Sequence, residues 1–238
     1  MEHPRVSFIA ANEQPAEDEE IELLGKIDLR SLLSVRRPRA HRKQKHIPGY
    51  FWMAQTDQLV WYESRLEMFI LKSIDHERSV SGAISQPFLM SFRREGKTRR
   101  HTPDFLFPLC DGGALLVNVT SQRHVDDQEN QVNFDACKSL ADHLGWEYVT
   151  RTEPNADYAA NIDWLNGYRR SPWLLEKFRT QLLQRASETT TIGQILLGME
   201  PDAFARPALF HLMWKREILF DSSTPLSDST ELWPGNVQ

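Results

Sequence analysis

The sequence predicts an α/β protein in which helices flank a mixed sheet, followed by a small winged-helix or helix-turn-helix unit. Two patterns support this fold class. Between residues 59 and 170, stretches of strand length and stretches of helical periodicity alternate in the order helix, three strands, helix, strand, helix. Beyond residue 170 the pattern changes to short helices and an extended segment.

Residues 1–46 contain few apolar positions and alternating blocks of charge. This composition favours a flexible N-terminal segment, with a short helix in IELLGKIDLRSLL. Ordered structure should begin near HIPGYFWMAQTDQLVWYES, which predicts a strand or hairpin that leads into a helix. We therefore expect a first domain over residues 47–170 and a second over residues 171–238.

The first helix is predicted from apolar residues that recur every three or four positions from Leu59 onward. They are Tyr62, Leu66, Phe69, Ile70 and Ile74. This spacing puts Glu67 at the edge of the buried stripe. Glu63 lies one turn earlier, where we expect exposure to solvent.

Three strands should follow. SVSGAISQPFLMSF predicts a strand with an edge proline, RREGKTRR a hairpin loop, HTPDFLFPL the second strand, CDGG a turn, and ALLVNVTSQ the third strand. Residues 133–144 have helical spacing and Gly145 ends that helix. WEYVT predicts a fourth strand, and AANIDWLNGYRR a helix that closes the domain.

The C-terminal region predicts three helices, in SPWLLEKFRTQLLQRA, TTTIGQILLGM and DAFARPALFHLMWKREIL. KREILFDSSTPLSDST predicts a two-stranded wing. The alternative is that these helices only pack against the first domain. On the first interpretation, a domain boundary falls near residue 170.

The net charge of -5 is unevenly distributed. Five acids lie close together near the N-terminus: Glu17, Asp18, Glu19, Glu20 and Glu22. Two basic runs contrast with them: Arg36, Arg37, Arg39, Arg42, Lys43 and Lys45, and then Arg93, Arg94, Lys97, Arg99 and Arg100. Because phosphate binding depends on local potential, these runs favour DNA as a partner, although solvated loop charges are the alternative.

No stretch approaches the roughly 20 apolar residues that a membrane helix needs. The N-terminus has no cationic start followed by an apolar core, so we expect no secretory signal. Cys110 and Cys137 are too few for a disulfide framework and have no metal-ligand spacing. We interpret them as reduced thiols, small core residues of a cytoplasmic protein.

One constellation matches the chemistry of phosphodiester hydrolysis. That reaction needs the phosphate charge neutralised and a water activated, and Mg²⁺ held by carboxylates and carbonyls does both. Asp104 at a strand start, Asn118 on the adjoining strand and Glu67 on the helix occupy suitable places, with the Val119 carbonyl as a further ligand. By alternation, Asn118, Thr120 and Gln122 share one face of the third strand.

Each of these residues also has a structural interpretation. An aspartate after proline is often a turn or cap acid, strand Asn and Thr are often exposed-face residues, and Glu67 could be a surface acid. Only together, in this order and beside basic runs, do they indicate a nuclease site.

The same segments resemble the TnsA-type endonuclease subunit of heteromeric transposases. The resemblance spans roughly residues 46–230 and rests on YESRLEMFIL, ISQPF, HTPDFLF, LLVNVTS, and LGWEYVT followed by NIDWLNGY. It implies a restriction-endonuclease-like core and a winged-helix tail. Members of this family cut the 5′ ends of a transposon, while an RNase H-like partner subunit cuts and joins the 3′ ends.

Carried over by motif, the resemblance implies that Glu67 is the helix acid, Asp104 the metal-binding aspartate and Asn118 the polar acceptor. It further implies Mg²⁺ or Mn²⁺ as cofactor and double-stranded transposon-end DNA as substrate. The expected partners are the RNase H-like transposase and an AAA+ ATPase, with no membrane. A cytoplasmic, nucleoid-associated location follows.

Thr120 departs from the family pattern, which has Lys or Arg at that position. A hydroxyl cannot supply the missing positive charge, although Arg99, Arg100 or Arg123 could reach in. Three functions therefore stay open at this point. They are an active Mg²⁺-dependent endonuclease, a catalytically impaired scaffold that binds DNA and the partner transposase, and a DNA-binding regulator that uses only the tail.

Overall fold

The computed structural model describes residues 2–11, 13–36, 47–188 and 190–235 of this mixed α/β protein. The chain forms two compact units. The first comprises residues 1–71 and 78–153, and the second comprises residues 72–77 and 154–238. Every prediction that concerns residues 37–46, including DNA contacts by Arg42, Lys43 and Lys45, lies outside the described residues.

The first unit contains most of the strands. Its elements in chain order are β1 (Glu2–Ala10), β2 (Ala16–Glu20), β3 (Leu32–Leu33), β4 (Gly49–Met53), β5 (Gln58–Tyr62), α1 (Arg65–Glu77), β6 (Ile84–Ser85), β7 (Phe88–Arg94), β8 (Lys97–His101), β9 (Phe105–Pro108), β10 (Ala114–Val119), α2 (Gln128–Leu144) and β11 (Glu147–Arg151). The last part of α1, Lys72–Glu77, belongs to the second unit.

Residues 2–11 and 13–36 contain strands and one-turn helices, whereas the composition predicts a flexible segment with one short helix. β1 is an inner strand of an antiparallel sheet with the order β2-β1-β7-β8. Val6, Phe8 and Ala10 alternate along β1 and are all buried, which is the period-2 pattern of a half-buried strand. The acids of β2 lie on the sheet edge, where Asp18 and Glu20 are 3.8 and 3.9 Å from the Arg5 guanidinium.

The predicted short helix in IELLGKIDLRSLL is two one-turn 3-10 helices, Ile21–Leu23 and Leu29–Ser31. Ile21 and Leu24 nevertheless enter the same core as β1. The segment is therefore ordered by burial of a few apolar side chains rather than by helical periodicity.

The hairpin predicted ahead of the first helix is confirmed as β4 and β5, paired from Gly49 with Tyr62 to Met53 with Gln58. The helix begins later than its periodicity predicted, at Arg65 rather than Leu59. Residues 59–62 form a strand. A short apolar run fits the helical and the strand period equally well, and hydrogen bonding to β4 selects the strand.

The second sheet of this unit has the order β11-β10-β9-β6. β9 is antiparallel to β6 and β10, while β10 is parallel to β11, so the crossover through α2 creates the parallel pair. Leu106 and Leu116 from this sheet share one core with Phe88 and Met90 from the first sheet and with Leu140 of α2. The core therefore supports the strand ends that carry Asp104 and Asn118.

Two strand predictions need correction. SVSGAISQPFLMSF is not one strand, because Gln86 has φ +49° and separates β6 in one sheet from β7 in the other. RREGKTRR is not a loop. Only Glu95 and Gly96, with φ of +53° and +72°, form the turn, and the flanking residues continue β7 and β8.

The second unit comprises, in chain order, α3 (Ala156–Leu165), α4 (Leu175–Arg185), β12 (Thr190–Thr191), α5 (Ile192–Leu196), α6 (Asp202–Trp214), β13 (Ile218–Phe220) and β14 (Glu231–Pro234). Its three strands form a sheet in the order β12-β14-β13. The second strand of the predicted wing thus lies beyond KREILFDSSTPLSDST, at Glu231–Pro234.

The second unit begins at residue 154, so α3 belongs to it rather than closing the first domain as predicted. Asn161 of α3 explains this membership. Its buried side chain donates to the carbonyls of Ser222 and Thr224 at 2.9 and 2.7 Å and accepts from the Leu226 N–H at 3.3 Å. A compositional shift near residue 170 could not reveal these long-range hydrogen bonds.

Two further expectations concern the chain as a whole. Among the described residues, no helix is both long enough and apolar enough to cross a membrane. Both cysteines are free thiols, and Cys137 is buried in the core as expected, whereas Cys110 is exposed.

Candidate functional site

Asp104 lies between two neighbouring strands and is held by backbone hydrogen bonds on both sides. Its carbonyl accepts from the Gln86 N–H at 2.8 Å, and its N–H donates to the Val117 carbonyl at 3.2 Å. Its side chain is held as well, because the Val119 N–H donates to Oδ2 at 2.6 Å. The Pro-Asp pair therefore places a carboxylate at the junction of β6, β9 and β10.

Glu67 is fixed by the N-terminus of α1. Ser64 Oγ accepts from the Glu67 N–H at 3.1 Å and donates to Glu67 Oε1 at 2.9 Å. The Glu63 N–H donates to Glu67 Oε2 at 2.8 Å. This arrangement is a variant of the capping box, in which a serine and a glutamate three residues later satisfy the free amides of a helix start.

The charge of Glu67 acts directly on Asp104. Burial, followed by the nearby Glu67 carboxylate, raises the pKa of Asp104 to about 7, and Glu63 adds to the rise. The Val119 N–H and the Arg36 guanidinium act in the opposite direction. The charges of Glu67 and of Glu63, which was expected in solvent, therefore both act on Asp104.

Asn118 is 1% exposed, and its amide is hydrogen-bonded at both ends. Oδ1 lies 3.0 Å from His101 Nε2, and Nδ2 donates to the Tyr148 hydroxyl at 3.0 Å. Tyr148 in turn lies 2.9 Å from Thr150 Oγ1. Asn118 is thus engaged in a polar network and could accept another ligand only by exchanging or sharing these contacts.

His101 is a site residue that the sequence reasoning missed. It is the last residue of β8 and lies three positions before Asp104. Burial lowers the pKa of His101, an effect that the Asn118 hydrogen bond opposes and the Arg36 charge reinforces. The imidazole is therefore neutral at physiological pH, and a histidine directly before the Thr-Pro-Asp motif was the available signal.

Thr120 follows the last residue of β10, and its N–H donates to the Arg151 carbonyl at 3.0 Å. The strand ends at Val119, so the predicted shared face does not extend to Gln122, which lies in the one-turn helix Gln122–His124. The Gln122 side chain accepts instead from the Thr152 hydroxyl at 3.0 Å. The hydroxyl of Thr120 itself carries no positive charge.

Gln86 has an unusual combination of features for a residue next to an acid. It is 3% exposed, has a left-handed backbone and carries a side-chain oxygen, Oε1, with no hydrogen-bond partner among the described residues. A buried, unpartnered carbonyl oxygen is costly unless a ligand or ion satisfies it. The ISQPF motif was therefore a signal for the site as well as for the fold.

Arg36 is the basic residue whose charge acts at this site. The adjoining Val35 N–H donates to the Gln86 carbonyl at 3.0 Å, which places the segment beside β6. The sequence by itself favours Arg99, Arg100 or Arg123 for this role. The charge of Arg123 instead lowers the pKa of Glu153, after the two backbone hydrogen bonds that act on that carboxylate.

The second basic run lies on the β7–β8 hairpin. Arg93, Arg94, Lys97 and Arg100 are exposed, and Arg99 is half-buried. Arg94 forms an ion pair with Asp135 of α2 at 3.2 Å, so its charge is partly compensated. The hairpin borders a cleft of about 630 Å³ between its tip and α2.

The residues at the site partly fit a divalent cation. Within the described ranges, no cluster of three or more His, Cys, Asp or Glu side chains could hold a metal ion. Asp104 and Glu67 supply two acids, and the remaining donors would have to be neutral oxygens. The unpartnered Oε1 of Gln86 is such a donor, and the Glu67 carboxylate that adds to the burial-raised pKa of Asp104 makes a bound cation favourable there.

Comparisons of the sequence with models of known protein families and with curated proteins found no match. The resemblance to TnsA-type endonucleases therefore rests on the motifs quoted above. Function has to be argued from the geometry of the site.

Proposed function

We propose that this protein is the DNA endonuclease subunit of a heteromeric transposase and hydrolyses phosphodiester bonds at transposon 5′ ends. One observation carries the proposal. Asp104 and Glu67, from a strand start and a helix start, lie close enough for one carboxylate to raise the pKa of the other. Paired carboxylates at such a junction suit a metal-dependent nuclease with a restriction-endonuclease-like core.

A magnesium or manganese ion would be held by the carboxylates of Asp104 and Glu67 and by neutral oxygens of Gln86 and Val119. When bound, such an ion neutralises phosphate charge and lowers the pKa of a water molecule. An all-oxygen donor set is what these hard cations prefer. Asn118 would join the set only by sharing or exchanging its contact with His101.

The protein contributes pre-organisation. The Val119 N–H fixes one oxygen of Asp104, while Ser64 and the Glu63 N–H fix both oxygens of Glu67. The two acids are therefore oriented by backbone and capping contacts before any ligand arrives. Fixed donors of this kind reduce the entropy lost when substrate and cation bind.

A catalytically impaired scaffold is the second candidate, and Thr120 and Asn118 favour it. Neither residue brings charge to the site, and the Asn118 amide is already satisfied by His101 and Tyr148. Such a protein would bind end DNA and the RNase H-like transposase without cutting. It would share the same fold and basic surfaces with the active enzyme.

The second unit supports a winged-helix assignment through its topology. From α4 onward it has a helix, a strand, two helices and two strands, with β14 between β12 and β13. The helix before the wing, α6, is buried from Ala208 to Trp214, whereas a DNA-reading helix needs exposed polar side chains. Residues 154–238 also contain ten acidic and eight basic residues.

We therefore propose that the second unit binds the partner transposase, and an AAA+ ATPase as a further candidate, rather than reading DNA bases. This weighs against the regulator that uses only the tail. DNA contacts are assigned instead to the basic hairpin of the first unit. These charges would keep the protein at the nucleoid while it acts.

A nicking assay on transposon-end DNA tests the proposal. Wild-type protein with its partner transposase should nick the 5′ ends with Mg²⁺ and not with EDTA, and Asp104→Ala should abolish nicking. Asp126→Ala is the matched control, because Asp126 is an exposed acid of the same unit. Equal nicking by Asp104→Ala and Asp126→Ala would exclude this site, and DNA binding without nicking by the wild type would favour the scaffold.

A further inference from the structure

We propose that Arg36 is the phosphate-binding cation of this site and supplies the positive charge that Thr120 does not. The inference rests on the proposed function and names one further residue of the same site. Arg36 lies far from the other site residues in sequence, so no motif includes it. The backbone contacts of the preceding residue bring it to Asp104.

Two consecutive backbone hydrogen bonds connect the segment of Val35 and Arg36 to Asp104. The Val35 N–H donates to the Gln86 carbonyl at 3.0 Å, and the Gln86 N–H donates to the Asp104 carbonyl at 2.8 Å. The backbone of Arg36 is therefore one residue away from a segment that is hydrogen-bonded, through Gln86, to Asp104.

A local contact restrains the same position. The Ser34 hydroxyl donates to the Arg36 carbonyl at 2.9 Å and closes a short turn around Val35. The side chain of Arg36 is exposed, so its guanidinium is available to a ligand that arrives from solvent. The backbone is therefore fixed while the charged end stays accessible.

The Arg36 charge also acts at the site, although less strongly than burial and the nearer groups. Among the described residues, Arg36 is the cation that acts on Asp104, and it acts on His101 as well. The guanidinium is therefore within electrostatic range of both residues.

The site needs such a cation on electrostatic grounds. Glu63, Glu67 and Asp104 concentrate negative charge where a DNA phosphate would have to approach. An arginine offers a planar pair of N–H donors that matches two phosphate oxygens and keeps its charge at any physiological pH. Thr120 offers a hydroxyl that can donate only one hydrogen bond.

The test uses full-length protein, its partner transposase and end-duplex DNA, with Mg²⁺ for cutting and Ca²⁺ for binding without cutting. The variants are Arg36→Ala, Arg36→Lys, and Arg123→Ala as a matched exposed arginine of the same unit. Arg36→Ala should lower kcat about 100-fold or more, as loss of one transition-state donor does elsewhere. Arg36→Lys should retain part of the activity, and Arg123→Ala nearly all of it.

A second substitution that restores a positive charge gives a sharper test. The double variant Arg36→Ala/Thr120→Lys should recover at least about tenfold of the lost rate, because a lysine at position 120 restores a positive charge. In Ca²⁺, Arg36→Ala should reduce the slope of log affinity against log salt by about 1, the value for one phosphate contact. Equal rates and equal salt slopes for Arg36→Ala and Arg123→Ala would overturn the assignment.

The salt dependence of binding separates this inference from the proposed function, because it is measured in Ca²⁺ without cutting. If wild-type protein binds but never cuts DNA, the endonuclease proposal fails, yet a reduced salt slope for Arg36→Ala, with an unchanged slope for Arg123→Ala, would still support Arg36. An unchanged slope for Arg36→Ala would refute Arg36 even in an active enzyme.

Discussion

Asp104 directly precedes β9 and Asn118 lies in the neighbouring β10, but the surroundings of their side chains differ. Both functional ends of the Asn118 amide are hydrogen-bonded, so its burial costs little. Burial first, and then the charges of Glu67 and Glu63, disfavour the ionised form of Asp104, and the Val119 N–H offsets them only in part. The pair shows why residue type alone does not identify the reactive group.

The raised pKa of Asp104 predicts an unusual pH dependence of stability. Between pH values near 4 and 7, the folded protein holds a proton on Asp104 that the unfolded chain has lost, so the free energy of unfolding should fall as pH rises. Each unit of pKa difference is worth about 1.4 kcal/mol, so a rise from 3.8 to about 7 gives an effect on the order of 4 kcal/mol. Asp104→Asn should remove this fall.

Urea unfolding at about pH 5 and about pH 8 gives the free energy of unfolding of the wild type and of Asp104→Asn. The change with pH in the difference between the two proteins measures the contribution of Asp104. Relative to wild type, Asp104→Asn should gain stability on going to the higher pH, whereas exposed Asp126→Asn should not. Adding Mg²⁺ at the higher pH should raise the thermal midpoint of the wild type and not that of Asp104→Asn. Parallel pH profiles for all three proteins would contradict the burial of an acid at position 104.

At the scale of elements, the β7–β8 hairpin holds the second basic run on two paired strands, so its charged residues have fixed positions along the backbone. Pairing of Arg93 with Thr98 and of Ser91 with Arg100 puts both arginines on the same face of the hairpin. The two-residue turn at Glu95 and Gly96 keeps the strands in this register. A flexible loop with the same composition would present no fixed spacing to a DNA backbone.

Neutralising this face should weaken DNA binding in a way that salt reveals. Arg93→Ala and Arg100→Ala should each lower the slope of log affinity against log salt by about 1, with little dependence on DNA sequence. Lys138→Ala is the control, because Lys138 is exposed on α2 and pairs with Asp142 at 3.0 Å. Fluorescence anisotropy at several salt concentrations gives the slopes, and equal slopes for all variants would exclude the hairpin as a DNA contact.

At the scale of the whole molecule, the chain crosses between its two units more than once. The second unit takes Lys72–Glu77 from the end of α1 and continues from residue 154 to the C-terminus. Within this unit, His76 Nδ1 lies 2.8 Å from the Trp214 carbonyl, and Tyr168 packs against Phe210 with ring centroids 5.0 Å apart. Its fold therefore depends on residues well before position 171.

This dependence predicts how fragments behave. A fragment of residues 171–238 should lack a cooperative unfolding transition, because it loses Asn161 and leaves the carbonyls of Ser222 and Thr224 without their donor. A fragment of residues 154–238 should keep more helical structure and a higher thermal midpoint. Thermal unfolding followed by circular dichroism compares the two fragments, and identical unfolding curves would support a domain boundary near residue 170.

Local periodicity in the sequence was enough to predict the hairpin before α1, the strands β9 to β11 and the helix that ends at Gly145. It also placed Asp104 and Glu67 in one candidate site. Such patterns are local, because strand and helix periods depend on neighbouring residues. The charge runs favour DNA as a partner, which stays a prediction, and they did not show that the second run lies on paired strands.

The remaining features depend on strand pairing and hydrogen bonds between segments that are far apart in the sequence. β1 pairs with β7, and Asn161 of α3 is hydrogen-bonded to the segment after β13. The segment of Arg36 is hydrogen-bonded through Val35 to Gln86, and Gln86 is hydrogen-bonded to Asp104. Each of these contacts is chosen by burial and by hydrogen bonds between segments far apart in sequence, where no local period exists. The positive charge missing at Thr120 could therefore be located only once the strands were assembled.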